Sequence, residues 1–173
     1  MKPIVFVGFP CAGKTTAAKI MATQRRLQFV DLDTAVEEHY HTTIPHLLQK
    51  YGEFAFRRCE QAMLRELLSC SDTVIATGGG APCFEDNMQH INANAISIYL
   101  DISEETLVNR LENAYFKRPL APQNDKEALK KYVHDTLLQR RHFYEQAHII
   151  LSENQLQDKK NLPEFFKNLH IPL

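Results

Sequence analysis

The 173-residue sequence has almost no net charge: 20 lysines and arginines stand against 21 aspartates and glutamates, a balance of −1. That removes any global electrostatic reason to expect nucleic acid or an anionic membrane as a partner, so each basic site has to be argued locally. No run approaches the roughly 18 apolar residues of a membrane span. The opening MKPIVFVGF, with one lysine and a short apolar run, reads as a first strand rather than an export signal. Cys11, Cys59, Cys70 and Cys83 show no C-x-x-C spacing and read as free thiols of a reducing cytoplasm. His39 and His41 lack a third ligand at metal-binding spacing and read as surface histidines. Internal repeats and low-complexity tracts are absent too. What remains at this length is one domain over 1–173, long enough to bury a substantial core.

What is present begins with GFPCAGKTT, residues 8–16, directly after the apolar run PIVFV. Gly8, Gly13, Lys14 and Thr15 satisfy G-x-x-x-x-G-K-[ST], with a buried strand before the loop and the helix-forming KTTAAKIMATQ after it. Backbone N–H groups of such a loop and of the helix start form a concave anion site. Lys14 would neutralise the β- and γ-phosphates, and the Thr15 hydroxyl would ligate the Mg²⁺ that bridges phosphate oxygens. The plain alternative is a glycine-containing turn with a solvated lysine.

Short apolar runs at 3–7, 27–30, 73–76, 95–100 and 148–151 are separated by helical patterns. They predict an α/β fold with five mostly parallel strands, buried on both sides between two layers of helices. Ligands of such sheets bind at the carboxyl ends of the strands. The longest helical signals cover 53–70 and 125–147. In the first, Phe56, Cys59, Met63, Leu67 and Cys70 form a core stripe that leaves Arg57 and Glu60 one turn apart on a neighbouring face. In the second, Leu129, Val133, Leu137 and Leu138 form the stripe. The segment 112–125 between them has two prolines and no period, and reads as a functional loop, most naturally a closing lid. The tail LPEFFKNLHIPL reads as a short final helix.

The acceptor of the phosphoryl group has to be read from the other strand ends. Strand three ends TVIATGGG without the carboxylate that many phosphate-loop enzymes carry there. The nearest carboxylates are Asp31 and Asp33, two apart, so that both could face one side of an extended segment. One could orient Mg²⁺ through water and the other face the acceptor, although Asp33 is equally well suited to cap a helix starting at TAVEEHY. Three glycines at 78–80 would let backbone approach a ligand closely, or would simply make a tight turn. Arg57, Arg118 and Arg140 would together suit a small anionic acceptor and a phosphate in transfer, where one alone would be a solvated charge.

At this point the sequence resembles the shikimate kinase family. GFPCAGKT, FVDLD, GEFAFRRCE, IATGGG, KRPL and RRHFY occur in the order and approximate spacing of that family and span residues 8 to 144. The resemblance implies a three-layer α/β/α P-loop kinase fold with a five-stranded parallel sheet, a small substrate-binding helical segment at about 32–61 and a mobile lid at about 112–124. It implies ATP-dependent phosphorylation of the 3-hydroxyl of shikimate by a cytoplasmic monomer, with Mg²⁺ as cofactor and neither nucleic acid nor membrane as partner. Carried over by position, shikimate contacts fall on Asp33, Arg57, Gly79, Gly80 and Arg140, and Glu60 steadies Arg57. The catalytic set becomes Lys14, Asp33 and Arg118. The nucleotide side becomes Gly8, Cys11, Ala12, Gly13, Lys14, Thr15, Thr16, Arg110 and Arg118, and the metal is held by Thr15 and, through water, by Asp31. Arg110 would lie against adenine, at a spacing to KRPL one residue from the family's pattern. Cys11 departs from the glycine common at its position. Other kinases of this architecture, acting on gluconate or nucleoside monophosphates, or an ATP-binding module without turnover, are the rival readings.

Overall fold

Every side chain of the first strand, β1 (Ile4–Val7), is buried, because the sequence offers it no polar residue to turn outward. Ile4 and Phe6 enter the core on one face of the sheet, Val5 and Val7 the core on the other. The computed structural model describes residues 1–113, 125–156 and 161–171. In these, β1 is followed by α1 (Lys14–Arg25), β2 (Gln28–Asp31), α2 (Leu32–Tyr40), α3 (Ile44–Leu67) and β3 (Thr73–Ala76). A 3-10 turn (Ala81–Cys83), α4 (Asn87–Asn94), β4 (Ile96–Asp101), α5 (Glu104–Glu112), α6 (Lys126–Tyr144), β5 (Ile149–Ser152), α7 (Glu153–Leu156) and α8 (Leu162–Asn168) complete the order.

All strand pairs are parallel, in the order β2-β3-β1-β4-β5. Helices cover both faces, which makes the three-layer α/β/α architecture the sequence predicts, with each strand within one residue of its expected bounds. The edges differ from expectation. β2 and β5 each have one neighbour, and Gln28 and Ile150 are exposed, so these runs are not buried on both sides. One core packs Met21 of α1, Leu107 of α5, Val133 and Leu137 of α6 and Phe166 of α8. The other packs Val36 of α2, Phe56 and Leu64 of α3, Ile91 of α4 and Tyr144 at the end of α6.

Two helices differ from the periodicity reading. α3 starts nine residues before 53, with Thr43 as its cap and Pro45 in the first turn, and is kinked at Gly52, whose φ of 81° and ψ of 170° are not helical. Cys70 lies beyond its end and is exposed, so the core stripe stops earlier than expected. In α6, Leu138 is 67% exposed because it sits about 100° round the helix from buried Leu137. The expected lid, about 112–124, falls outside the described residues from 114 onward, and Arg118 with it; α5 ends at Glu112 with Asn113 as its cap. No helix among the described residues is long and apolar enough to cross a membrane.

The strand order positions the site. β1 lies between β3 and β4, and β3 between β1 and β2, so the loops leaving β1, β2 and β3 emerge side by side at the carboxyl edge of the sheet.

Candidate active site

The loop leaving β1 is held in a conformation that most side chains disfavour. Gly8 and Gly13 have φ of 138° and 103°, and Cys11 has φ of 64°, the left-handed region. A glycine would meet that geometry at Cys11 without steric cost, which is the physical content of the departure seen in the sequence. Lys14, 7% exposed, donates from Nζ to the carbonyls of Gly8 and Phe9, both at 2.8 Å, so its ammonium lies inside the curl of the loop. From the far side Arg110 of α5 donates from Nη1 to the carbonyls of Ala12 (2.9 Å) and Cys11 (3.2 Å). It occupies the carbonyls of Cys11 and Ala12, while the Ala12 N–H donates within the loop to the Phe9 carbonyl at 3.1 Å.

Asp31, the last residue of β2, accepts from three donors. Its Oδ1 accepts from the backbone N–H of Asp33 (3.1 Å) and Thr34 (3.4 Å), so the cap of α2 is Asp31 and not Asp33. Its Oδ2 accepts from the Thr15 hydroxyl at 3.0 Å. Thr15 and Asp31 thus present hard oxygens side by side, a donor set that fits an Mg²⁺ brought in on phosphates. Asp33 lies in the first turn of α2, so the two carboxylates do not share an extended segment. Asp33 joins Lys14, Thr15, Thr16, Asp31, Gly78 and Gly79 around a cleft of about 150 Å³.

The three glycines after β3 are each pressed by a neighbour. A Cβ on Gly79 would lie 2.5 Å from Pro10 Cδ, and one on Gly80 would strike the Arg57 guanidinium. A Cβ on Gly78 would lie 2.9 Å from Asp33 Oδ1 and 3.0 Å from Glu60 Oε1. The backbone here is therefore in direct contact with the groups that line the site. The buried Tyr144 hydroxyl donates to the Gly79 carbonyl at 2.6 Å, and in a trans peptide this turns the Gly80 N–H away from the tyrosine. Burial pushes the Tyr144 hydroxyl upward and the Cys83 thiol up to about 11, so both stay neutral.

Beyond Gly80 opens a second cleft of about 370 Å³, lined by Arg57, Arg140, Glu53, Phe54, Phe84 and Cys83. Arg57 Nη1 donates to Glu60 Oε2 at 2.6 Å and Nη2 to Glu53 Oε1 at 3.4 Å. Burial alone would lower Arg57, but the charges and hydrogen bonds of Glu60 and Glu53 hold it above the usual value. Glu60 is 1% exposed. Its burial pushes the carboxyl up to about 7, against the opposing pull of the Arg57 charge and hydrogen bond. Two cationic side chains at a cleft with aromatic walls can hold a small carboxylate, while the first cleft can hold a phosphate. Gly79 and Gly80 stand between them.

The sequence model of one family, described as shikimate kinase, matches residues 10–170. The chain belongs to the shikimate kinase family. A shikimate kinase of Phocaeicola vulgatus is 37% identical over 162 residues, 94% of this chain and 93% of its own. The solved shikimate kinase of Bacteroides thetaiotaomicron superposes with a TM-score of 0.89 at 34% identity, covering 96% of this chain and 94% of that one. The shikimate kinase of Acinetobacter baumannii, solved in complex with shikimate, gives 0.82 at 31% identity over 97% and 94%. As a member of the shikimate kinase family the chain is a kinase, and the fold expected from the resemblance is the one observed.

Of the residues the family resemblance singles out, Gly8, Cys11, Ala12, Gly13, Lys14, Thr15, Thr16 and Arg110 come together on the loop side. Asp33, Arg57, Gly79, Gly80 and Arg140 come together across the two clefts. Arg118 lies outside the described residues. Sequence reasoning missed the role of Tyr144 and that of Pro10. The signal for Tyr144 was a tyrosine in a helix whose apolar body is buried, since such a ring needs a partner for its hydroxyl.

Proposed function

We propose that this kinase transfers the γ-phosphoryl group of ATP to the 3-hydroxyl of shikimate. The observation that carries this reading is the pairing of two anion-binding clefts across Gly79 and Gly80, with Asp33 on the phosphate side and Arg57 and Arg140 on the other. A polyol bearing a carboxylate is the acceptor such a site accommodates, and the Acinetobacter baumannii relative is solved with shikimate.

Lys14 and the loop N–H groups bind the β- and γ-phosphates. Thr15 and Asp31 would hold Mg²⁺, which would supply neutralising charge to the phosphates. Arg57 and Arg140 grip the acceptor's carboxylate, and the Gly79–Gly80 backbone forms the floor between the clefts. Asp33 accepts a hydrogen bond from the reacting hydroxyl, orients it and takes its proton late, as suits a loose transition state in which positioning and electrostatics supply most of the rate. Arg118 stabilises the equatorial oxygens; this role rests on the KRPL resemblance alone. Arg110, which grips the loop carbonyls, orders the loop and offers its outer face to the base. The four free cysteines agree with a cytoplasmic location.

Coupled ADP release with shikimate, gluconate and nucleoside monophosphates tests the reading in one experiment. Turnover with shikimate at least a hundredfold above the others is expected. Preference for gluconate or a nucleotide, or no acceptor-dependent turnover, would overturn it.

A further inference from the structure

Glu60 holds an oxygen that the acceptor-gripping arrangement leaves unused. Its Oε2 receives Arg57, while Oε1 is buried without a hydrogen-bond partner among the described residues. A buried carboxylate oxygen left in that condition is costly, unless it carries a proton and donates. An acceptor lies near: the point above Gly78 that lies 3.0 Å from Glu60 Oε1 also lies 2.9 Å from Asp33 Oδ1, so the two oxygens flank the same point. Residue 78, a glycine, puts no side chain there. A carboxylate can accept several hydrogen bonds, so Asp33's other contacts do not compete.

The charges around Glu60 say when that proton arrives. From α2 it faces Asp33, from its own helix Arg57, from α6 Arg140, and from the 3-10 turn the neutral Cys83. Glu53, the second partner of Arg57, is 57% exposed and screened by solvent. With Glu60 ionised, the empty site holds two cations and two anions and is balanced. A carboxylate arriving on Arg57 and Arg140 adds a third anion to a site from which water is being expelled, and restoring the balance takes one proton.

We propose that Glu60 takes up a proton from solvent when an anionic acceptor docks on Arg57 and Arg140, and holds it on Oε1 facing Asp33. Glu60 is then a positioning residue with two hands. Oε2 aims the Arg57 guanidinium at the acceptor, and the proton on Oε1 fixes the Asp33 carboxylate while leaving it charged for the reacting hydroxyl. The proton returns to solvent when the acceptor leaves. The resting carboxyl, near 7, is poised for this exchange at neutral pH.

The inference rests on the proposed acceptor, and the test separates the two. Shikimate is titrated into the enzyme calorimetrically in buffers of differing ionisation enthalpy, at about pH 7.5 to 8. Heat that varies with the buffer, giving uptake of a half to one proton per site, is expected for the wild type. Glu60→Gln, which mimics the protonated acid, binds with heat independent of buffer. Correspondingly, wild-type affinity falls about three- to tenfold per pH unit between about 7 and 8, and that of Glu60→Gln stays flat. Absence of any shikimate binding in the wild type would overturn the acceptor assignment. Binding without proton uptake, or equal uptake in Glu60→Gln, would overturn the role of Glu60. Should the variant not fold, glutamate-selective ¹³C carboxyl spectra of the wild type decide. One glutamate titrating near neutrality in the free enzyme and ceasing to do so with shikimate bound supports the inference; all glutamates titrating below about pH 5.5 in both states contradicts it.

Discussion

At the residue scale the active site is dominated by groups whose behaviour follows from burial. Glu60 has a folded-state value near 7, above the value of about 4.5 for a solvated glutamate. The folded protein therefore holds this proton more tightly than the unfolded chain, and the associated stability is fully present below about pH 4.5 and lost as pH rises through 7. Comparing denaturant midpoints, wild type should lose on the order of 3 kcal/mol relative to Glu60→Gln between about pH 5 and pH 8. A difference that does not change with pH would contradict a raised carboxyl. Gly80 gives a second prediction. Its Cβ position collides with the Arg57 guanidinium, so Gly80→Ala should displace Arg57 and raise KM for shikimate at least tenfold, with KM for ATP within about twofold. Equal KM values for both substrates in mutant and wild type would show that Arg57 can move aside freely. The positions of Lys14 and Thr15 were legible in the sequence because the phosphate-loop spacing reports their chemistry, and those of Arg57 and Arg140 through the motifs of the family resemblance. Tyr144 and the second oxygen of Glu60 were not. Tyr144 meets Gly79 across 65 residues of chain, and the Glu60 and Asp33 oxygens flank one point above Gly78, neither of which periodicity encodes.

At the element scale, the five strands were readable because short apolar runs between helical patterns have few other uses. Helix boundaries were less so. The kink at Gly52 hides the continuity of α3, since a glycine with φ of 81° reads locally as a stop. The D-x-D stretch was legible as functional but not in its division of labour, because position alone leaves either aspartate able to cap. The structure gives the cap to Asp31 and not Asp33, and ties α2 to the start of α1 through the Thr15 hydroxyl. Removing this junction has two consequences. Asp31→Ala should cost about 1 kcal/mol of stability through the lost cap. It should also raise the Mg²⁺ concentration required for half-maximal turnover several-fold, as an outer partner of the ion would. An unchanged Mg²⁺ requirement with the stability loss intact would leave Asp31 as a cap only.

At the scale of the whole molecule, the strand order brings the ends of β1, β2 and β3 together, and this is what converts three separate motifs into one site. In the proposed reaction the phosphate cradle would come from the loop after β1, the metal and hydroxyl partners from the end of β2 and the start of α2, and the floor from the glycines after β3. The proposed grip on the acceptor is added from outside the sheet by Arg57 of α3 and Arg140 of α6, which line one cleft from different helices. That separation predicts that acceptor binding can be weakened without disturbing the nucleotide. The measurement that tests this most directly is steady-state kinetics of Arg140→Ala with shikimate and ATP varied independently. Loss of a charged contact worth about 1.5–3 kcal/mol should raise KM for shikimate roughly ten- to a hundredfold and leave KM for ATP within about twofold. A variant whose KM for shikimate is unchanged, or whose KM for ATP rises in step with it, would contradict a site built from two separately held anions.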